Sequence, residues 1–121
     1  MIYLDVNVLQ YWLTADPRFG ERSKEILKHH RDKATSALTI WILFVLNQGN
    51  EKKIMEAVDA IGLSVAPLTI QDLRDATTLS ESLGLDVEDA IHLATMKRLG
   101  IDAIASNDKD FDKVSRVKRV F

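Results

Sequence analysis

The chain has 121 residues, 46% hydrophobic and 28% charged, the mixture of a folded domain with an ordinary core. Its formal net charge is −2, from 16 Lys and Arg against 18 Asp and Glu, so bulk charge points to neither nucleic acid nor membrane. Cysteine is absent, which excludes disulfide scaffolds, thiol catalysis and Cys-ligated zinc.

In chain order, Ile2–Leu4 is a short apolar run that reads as a buried strand ending at Asp5. Nothing in this opening resembles a signal peptide, and the expectation is a cytoplasmic protein. Val6–Leu13 reads as a short helix stopped by Asp16-Pro17, and Glu21–Arg31 as an amphipathic helix. Ala34–Ala37 is a second strand, with Thr39 a candidate cap for the apolar helix that runs to Leu46. The run Ala37–Leu46 is too short for a bilayer, which needs roughly 20 residues of helix. It is apolar on almost every side, so it is central in the core or packs against another chain.

Glu51–Ile61 spaces its apolar residues as a helix does, and Gly62 ends it. Leu63–Leu68 is a third strand, placed at a sheet edge by Pro67. Thr69 and Asp72 form a capping-box pattern for a helix to Leu83, with Gly84 as its stop. Asp86–Leu99 is the clearest helix, closed by Gly100. Ile101–Ala105 and Val117–Phe121 complete the strands. The alternation predicts an α/β domain around a mostly parallel, five-stranded sheet.

Ligands of open parallel sheets bind beyond the carboxyl ends of the strands, and acids gather at such places here. Asp5 closes the first strand, Asp86 and Asp89 open the clearest helix, and Asp108 and Asp110 follow the fourth strand. Crowded carboxylates raise one another's pKa, a cost that a divalent cation removes. An all-oxygen set favours Mg²⁺ or Mn²⁺ over zinc. Each acid also has a simpler role open to it. Asp5 and Asp86 are suited to N-caps, Asp89 to the positive end of the helix dipole, and Asp108 and Asp110 to a polar turn. Their joint position carries the argument.

These segments resemble the PIN-domain nucleases. YLDVNVL at Tyr3–Leu9 is similar to that family's hydrophobic-Asp-x-Asn opening. LGLDVEDAIHLATMKRLGIDAIASNDKDFDKV is similar to its second half, with the Asp-Ala-hydrophobic-His helix start and the Asp-x-Asp-Phe turn. Size and spacing resemble the compact VapC-type toxin branch. The resemblance spans almost the whole chain and implies one α/β/α sandwich domain over residues 1–121. It further implies cleavage of single-stranded RNA with Mg²⁺ or Mn²⁺, leaving 5′-phosphate and 3′-hydroxyl ends. A small antitoxin partner and a homodimer are also implied. By position, Asp5, Asp89 and Asp108 become the catalytic, metal-binding acids, with Asp110 a further ligand. Asn7 orients the first acid, and Ser106 stands at the supporting hydroxyl.

One departure stands out. The family carries Glu six residues beyond a Ser near the end of the second strand; counting from Ser36, this chain has Ile42. No acid occurs from Ala34 through Asn50, Glu51 is the nearest, and Glu88 lies roughly 100° around its helix from Asp89. With one acid fewer, the nuclease reading becomes one of impaired activity or of dependence on high metal concentration, and two rivals stand beside it: a catalytically silent PIN-like binding module, and a phosphoryl-transfer domain. The latter rests on a faint likeness of LDVNV to the Asp-x-Asp opening of haloacid-dehalogenase-like phosphatases, with Asn7 replacing the second acid. His29 and His30 are neighbours that face apart on a helix, and His92 is expected to pack or hydrogen-bond. The basic stretches Lys28–Lys33 and Lys113–Arg119 are either an RNA-steering surface or solvated charge.

Overall fold

The structure, a computed structural model, describes residues Met1–Phe121. Five strands form one sheet: β1 (Ile2–Leu4), β2 (Lys33–Ser36), β3 (Ser64–Ala66), β4 (Ala103–Ala105) and β5 (Lys118–Val120). Their spatial order is β3-β2-β1-β4-β5, and every pairing is parallel. Parallel neighbours need crossovers, which six helices supply: α1 (Val6–Leu13), α2 (Gly20–His29), α3 (Ala37–Leu46), α4 (Glu51–Ala60), α5 (Ile70–Leu83) and α6 (Val87–Leu99). A short 3₁₀ turn, Lys109–Lys113, precedes β5.

The first strand is the middle of the sheet. Side chains alternate across it, so Ile2 and Leu4 pack with α1–α4 on one face. Tyr3 points the other way, packing with Ala34, Ile104, Met96 of α6 and Phe111 of the 3₁₀ turn. On that second face α5 meets α6 through Ala76, Ala90 and Ile91. The result is the expected α/β/α sandwich, with a sheet fully rather than mostly parallel.

Element ends differ from the sequence reading for local reasons. The cap of α3 is Ser36, whose Oγ accepts from the Leu38 amide at 2.9 Å; Thr39 lies buried inside the helix. The third strand is only Ser64–Ala66, because Leu63 donates its amide back to Val58 at the end of α4. Pro67 has no amide to extend the ladder, and β3 is an edge strand as its position required. Ile101 likewise belongs to the closure of α6, its amide bonded to Met96. Gly84 and Gly100 stop α5 and α6 in the left-handed region, at φ 66° and 71°.

The capping box forms as expected and gains a third member. Asp72 accepts from the Thr69 amide at 3.2 Å, and Arg98 from the end of α6 grips the same carboxylate at 2.8 and 2.9 Å. A third Arg98 bond, to the Pro67 carbonyl at 2.9 Å, ties this corner to the end of β3. The guanidinium holds the Asp72 carboxyl below the usual carboxylate range. Asp72→Ala removes the cap and strands the Arg98 grip, and is expected to cost about 2–4 kcal/mol in urea unfolding.

Candidate metal centre

The strand order reverses direction between β1 and β4: the chain builds outward through β2 and β3, then returns to the far side of β1. That switch point opens a crevice at the carboxyl ends of the two strands. Asp5 follows β1 and Ser106, Asn107 and Asp108 follow β4, while the first turn of α6 brings Glu88 and Asp89 to the same place. A cavity of about 340 Å³ there is lined by Asp5, Val6, Asn7, Gln10, Tyr11, Ile42, Leu46, Glu88, Asp89 and Asp108.

Asp5 is both cap and site residue. Its Oδ1 accepts from the Val6 amide at 2.8 Å, starting α1. Its Oδ2 accepts from the Ser106 hydroxyl at 2.6 Å and from the Asn7 amide nitrogen at 3.2 Å. Asn7 also uses its oxygen to accept from the Asn107 amide at 3.1 Å, and Ser106 Oγ accepts from the Asp108 amide at 3.0 Å. These bonds stitch the end of β1 to the turn after β4. Asn7 and Ser106 therefore both contact the Asp5 carboxylate.

Behind Asp5 lies His92, fully buried, with Nε2 3.8 Å from Asp5 Oδ1 and Nδ1 2.7 Å from the Tyr3 hydroxyl. Burial lowers the His92 pKa and pushes Tyr3 up to about 12, so the ring is neutral and the phenol protonated. A neutral imidazole facing a carboxylate carries its proton on the near nitrogen, so Tyr3 donates to Nδ1. The hydrogen-bonding role expected of His92 is the one it has.

Asp89 is the unusual acid. It is 3% exposed, and its Oδ2 has no hydrogen-bond partner. Burial first, then the charges of Asp86, Asp108 and Asp5 and a hydrogen bond with Asp108, push its pKa up to about 8. Carboxylate oxygens of Asp89, Asp108 and Asp110 lie within 4.8 Å of one another. Asp108 caps the 3₁₀ turn by accepting from the Asp110 amide at 2.9 Å, and Asp110 also meets Lys113 at 3.4 Å. The geometry therefore has a tight group of three, with Asp5 completing the cavity wall beside it.

Residues 2–117 match the PIN domain. The chain belongs to this family. Members of the PIN family are typically divalent-metal-dependent nucleases. Among solved structures, the fold is similar to a toxin–antitoxin complex from Klebsiella pneumoniae (TM-score 0.77, 18% identity, covering 100% of this chain and 97% of that one). It is also similar to Mycobacterium tuberculosis VapC20, a sarcin-ricin loop cleaving toxin (0.73, 17%, 93% of each chain). A third is FitAcB from Neisseria gonorrhoeae (0.70, 21%, 100% and 97%). No curated protein matches the sequence.

The PIN departure at position 42 is structural as well as sequential. Ile42 lines the same cavity as Asp5, Asp89 and Asp108, so an apolar side chain stands where the family pattern has an acid. Glu51 does not replace it; its carboxylate accepts from the Gly49 amide at 2.8 Å in the loop before α4. Glu88, in contrast, reaches the cavity wall. Its angular offset from Asp89 misleads, because the first turn of α6 presents its end, not one face, to the crevice. Asp86 takes the capping role, accepting from the Asp89 amide at 2.8 Å. His29 and His30 each bond a carbonyl one turn back, through Glu25 and Ile26. Within the basic stretches, Lys33 is buried on the His30 and Arg31 carbonyls, and Arg119 is paired with Asp112.

The raised pKa of Asp89 makes the metal-free fold sensitive to pH. The folded state keeps a proton that the unfolded chain releases above the ordinary value of 3.8, so stability falls as pH rises from there to about 8. In EDTA, thermal denaturation is expected to show a lower Tm at pH 8 than at pH 5. Asp89→Asn should flatten that slope and raise the pH 8 Tm by at least about 4 °C.

Proposed function

We propose that residues 1–121 form one PIN-type domain that acts as a Mg²⁺- or Mn²⁺-dependent endoribonuclease on single-stranded RNA, as the toxin of a toxin–antitoxin pair. The observation that carries this reading is the buried, unpartnered Asp89 oxygen among the carboxylates of Asp5, Asp108 and Asp110. A ligand group made of carboxylate oxygens alone, with no imidazole or thiolate among its members, fits Mg²⁺ or Mn²⁺. Asp5, Asp89 and Asp108 would hold the ion, with Asp110 as a further ligand. Asn7 and Ser106 fix the rotamer of Asp5, so little reorganisation is needed on binding. When bound, a divalent ion supplies Lewis acidity towards phosphate and a water activated for in-line attack. The products are 5′-phosphate and 3′-hydroxyl ends. Ile42 and Leu46 give the cavity an apolar stretch of wall.

The partner reading draws on α3. Trp41 is 62% exposed, and Val45 and Leu46 are also exposed, so the apolar helix is not fully covered by its own fold. An antitoxin segment or a second copy of the chain would cover it. No helix is long and apolar enough to cross a membrane.

Ile42 favours a second reading, a PIN-like module that binds RNA without cutting it. Membership of the PIN family leaves the phosphoryl-transfer alternative without support. With a panel of single-stranded RNAs and Mn²⁺, the wild type is expected to cut, and EDTA to stop it. Asp89→Asn should lower the rate at least about 100-fold, roughly 3 kcal/mol of transition-state stabilisation. No cutting by the correctly folded wild type at any Mn²⁺ concentration, with cutting gained in Ile42→Glu, would overturn the nuclease reading in favour of the silent module. Because protons compete with the cation at Asp89, Mn²⁺ is expected to raise the Tm more at pH 8 than at pH 6.

A further inference from the structure

The cavity at the β1–β4 switch holds one acid that neither the helix cap nor the three-carboxylate group uses. Glu88 lines it together with Asp5, Asp89 and Asp108. The five ion pairs of the fold leave Glu88 without a cationic partner. Its surroundings are like-charged: the other ionisable side chains lining the cavity with it are the acids Asp5, Asp89 and Asp108 and the phenol of Tyr11, with no Lys or Arg among them. A second observation is independent of this crowding. Asp89, the residue next to it, is nine-tenths buried and more, and directs an unpartnered oxygen into the same group. Unpaired carboxylates around an unsatisfied buried oxygen are an arrangement that a cation stabilises and bare protein does not.

We propose that Glu88 is a further cation ligand of this chain, holding a divalent ion at the cavity mouth with Asp5 and Asp108, beside the Asp89–Asp108–Asp110 group. It returns to the site the negative charge that Ile42 leaves out, from α6 instead of α3. The inference rests on the metal-dependent reading above and adds to it the residue that completes the ligand set. Glu88 is exposed on the first turn of its helix, so replacing it leaves the core and the Asp86 cap untouched.

The test is Mn²⁺ binding alone, followed by calorimetry and by the Mn²⁺ electron paramagnetic resonance signal, without RNA. Wild type, Glu88→Gln and Glu81→Gln are compared; Glu81 is an exposed acid of α5 outside the cavity. Glu88→Gln is expected to weaken Mn²⁺ binding about tenfold or more, Glu81→Gln to leave it unchanged. The difference should persist in roughly 0.3 M KCl, where long-range charge effects are screened. Equal Mn²⁺ affinity in wild type and Glu88→Gln would overturn the assignment of Glu88 alone. Equal losses in Glu88→Gln and Glu81→Gln would also overturn it, by reducing the effect to net charge. A wild type that binds no Mn²⁺ would remove the metal-dependent reading and this ligand with it.

Discussion

The Ser106 hydroxyl, 2.6 Å from Asp5 Oδ2, joins the ends of two parallel strands that the chain visits 101 positions apart. Around it, the Asp5 amide bonds the Ala105 carbonyl at 3.0 Å, and the Asn7 side chain spans from Asp5 to the Asn107 amide. The rest of the molecule follows from this seam. β1 can be central only because helices cover both of its faces, and β4 can return beside it only because α5 and α6 carry the chain across the sheet. The acids meet because the seam lies where the winding direction reverses.

The buried acids of the crevice differ in how their oxygens are satisfied. Asp5, though buried, has its oxygens satisfied by a backbone amide, a hydroxyl and a carboxamide. Asp89 is equally deep and has one oxygen with nothing to accept from, which is why burial dominates its shift. Neutral His92 behind Asp5 gives orientation without charge, leaving the negative potential of the crevice undiminished from that side. Arg119, which bonds the Ser106 carbonyl, spends its charge on Asp112. The fold thus concentrates negative charge where a small cation would be held and keeps its own cations out.

Much of this was legible in the residues. Asp5, Asp89 and Asp108 stand at strand ends and a helix start, and the Thr69–Asp72 box and the helix stops at Gly84 and Gly100 obey local rules that depend on a few neighbours. Boundaries were harder, because Leu63, Ile101 and Val117 have strand-like side chains but give their amides to preceding turns. Strand order was not readable at all, being a matter of which crossovers pack together. Helix-face geometry sets Glu88 apart from Asp89, yet both line the cavity, because a helix end meets a crevice with more than one face. The exposure of Trp41 could not be inferred from a segment apolar on every side, since nothing local tells which side meets the core.

The seam also orders events in time. Loop closure over so many residues is costly in entropy, and contacts of high sequence separation form only when both partners exist. An amino-terminal fragment ending before β4 has Asp5 and Asn7 but neither Ser106 nor Asp108, and its central strand lacks one neighbour. The acidic centre is therefore incomplete in every shorter product of synthesis or proteolysis that stops ahead of residue 103, and only the chain carried through that strand and the turn after it can assemble the full set of acids.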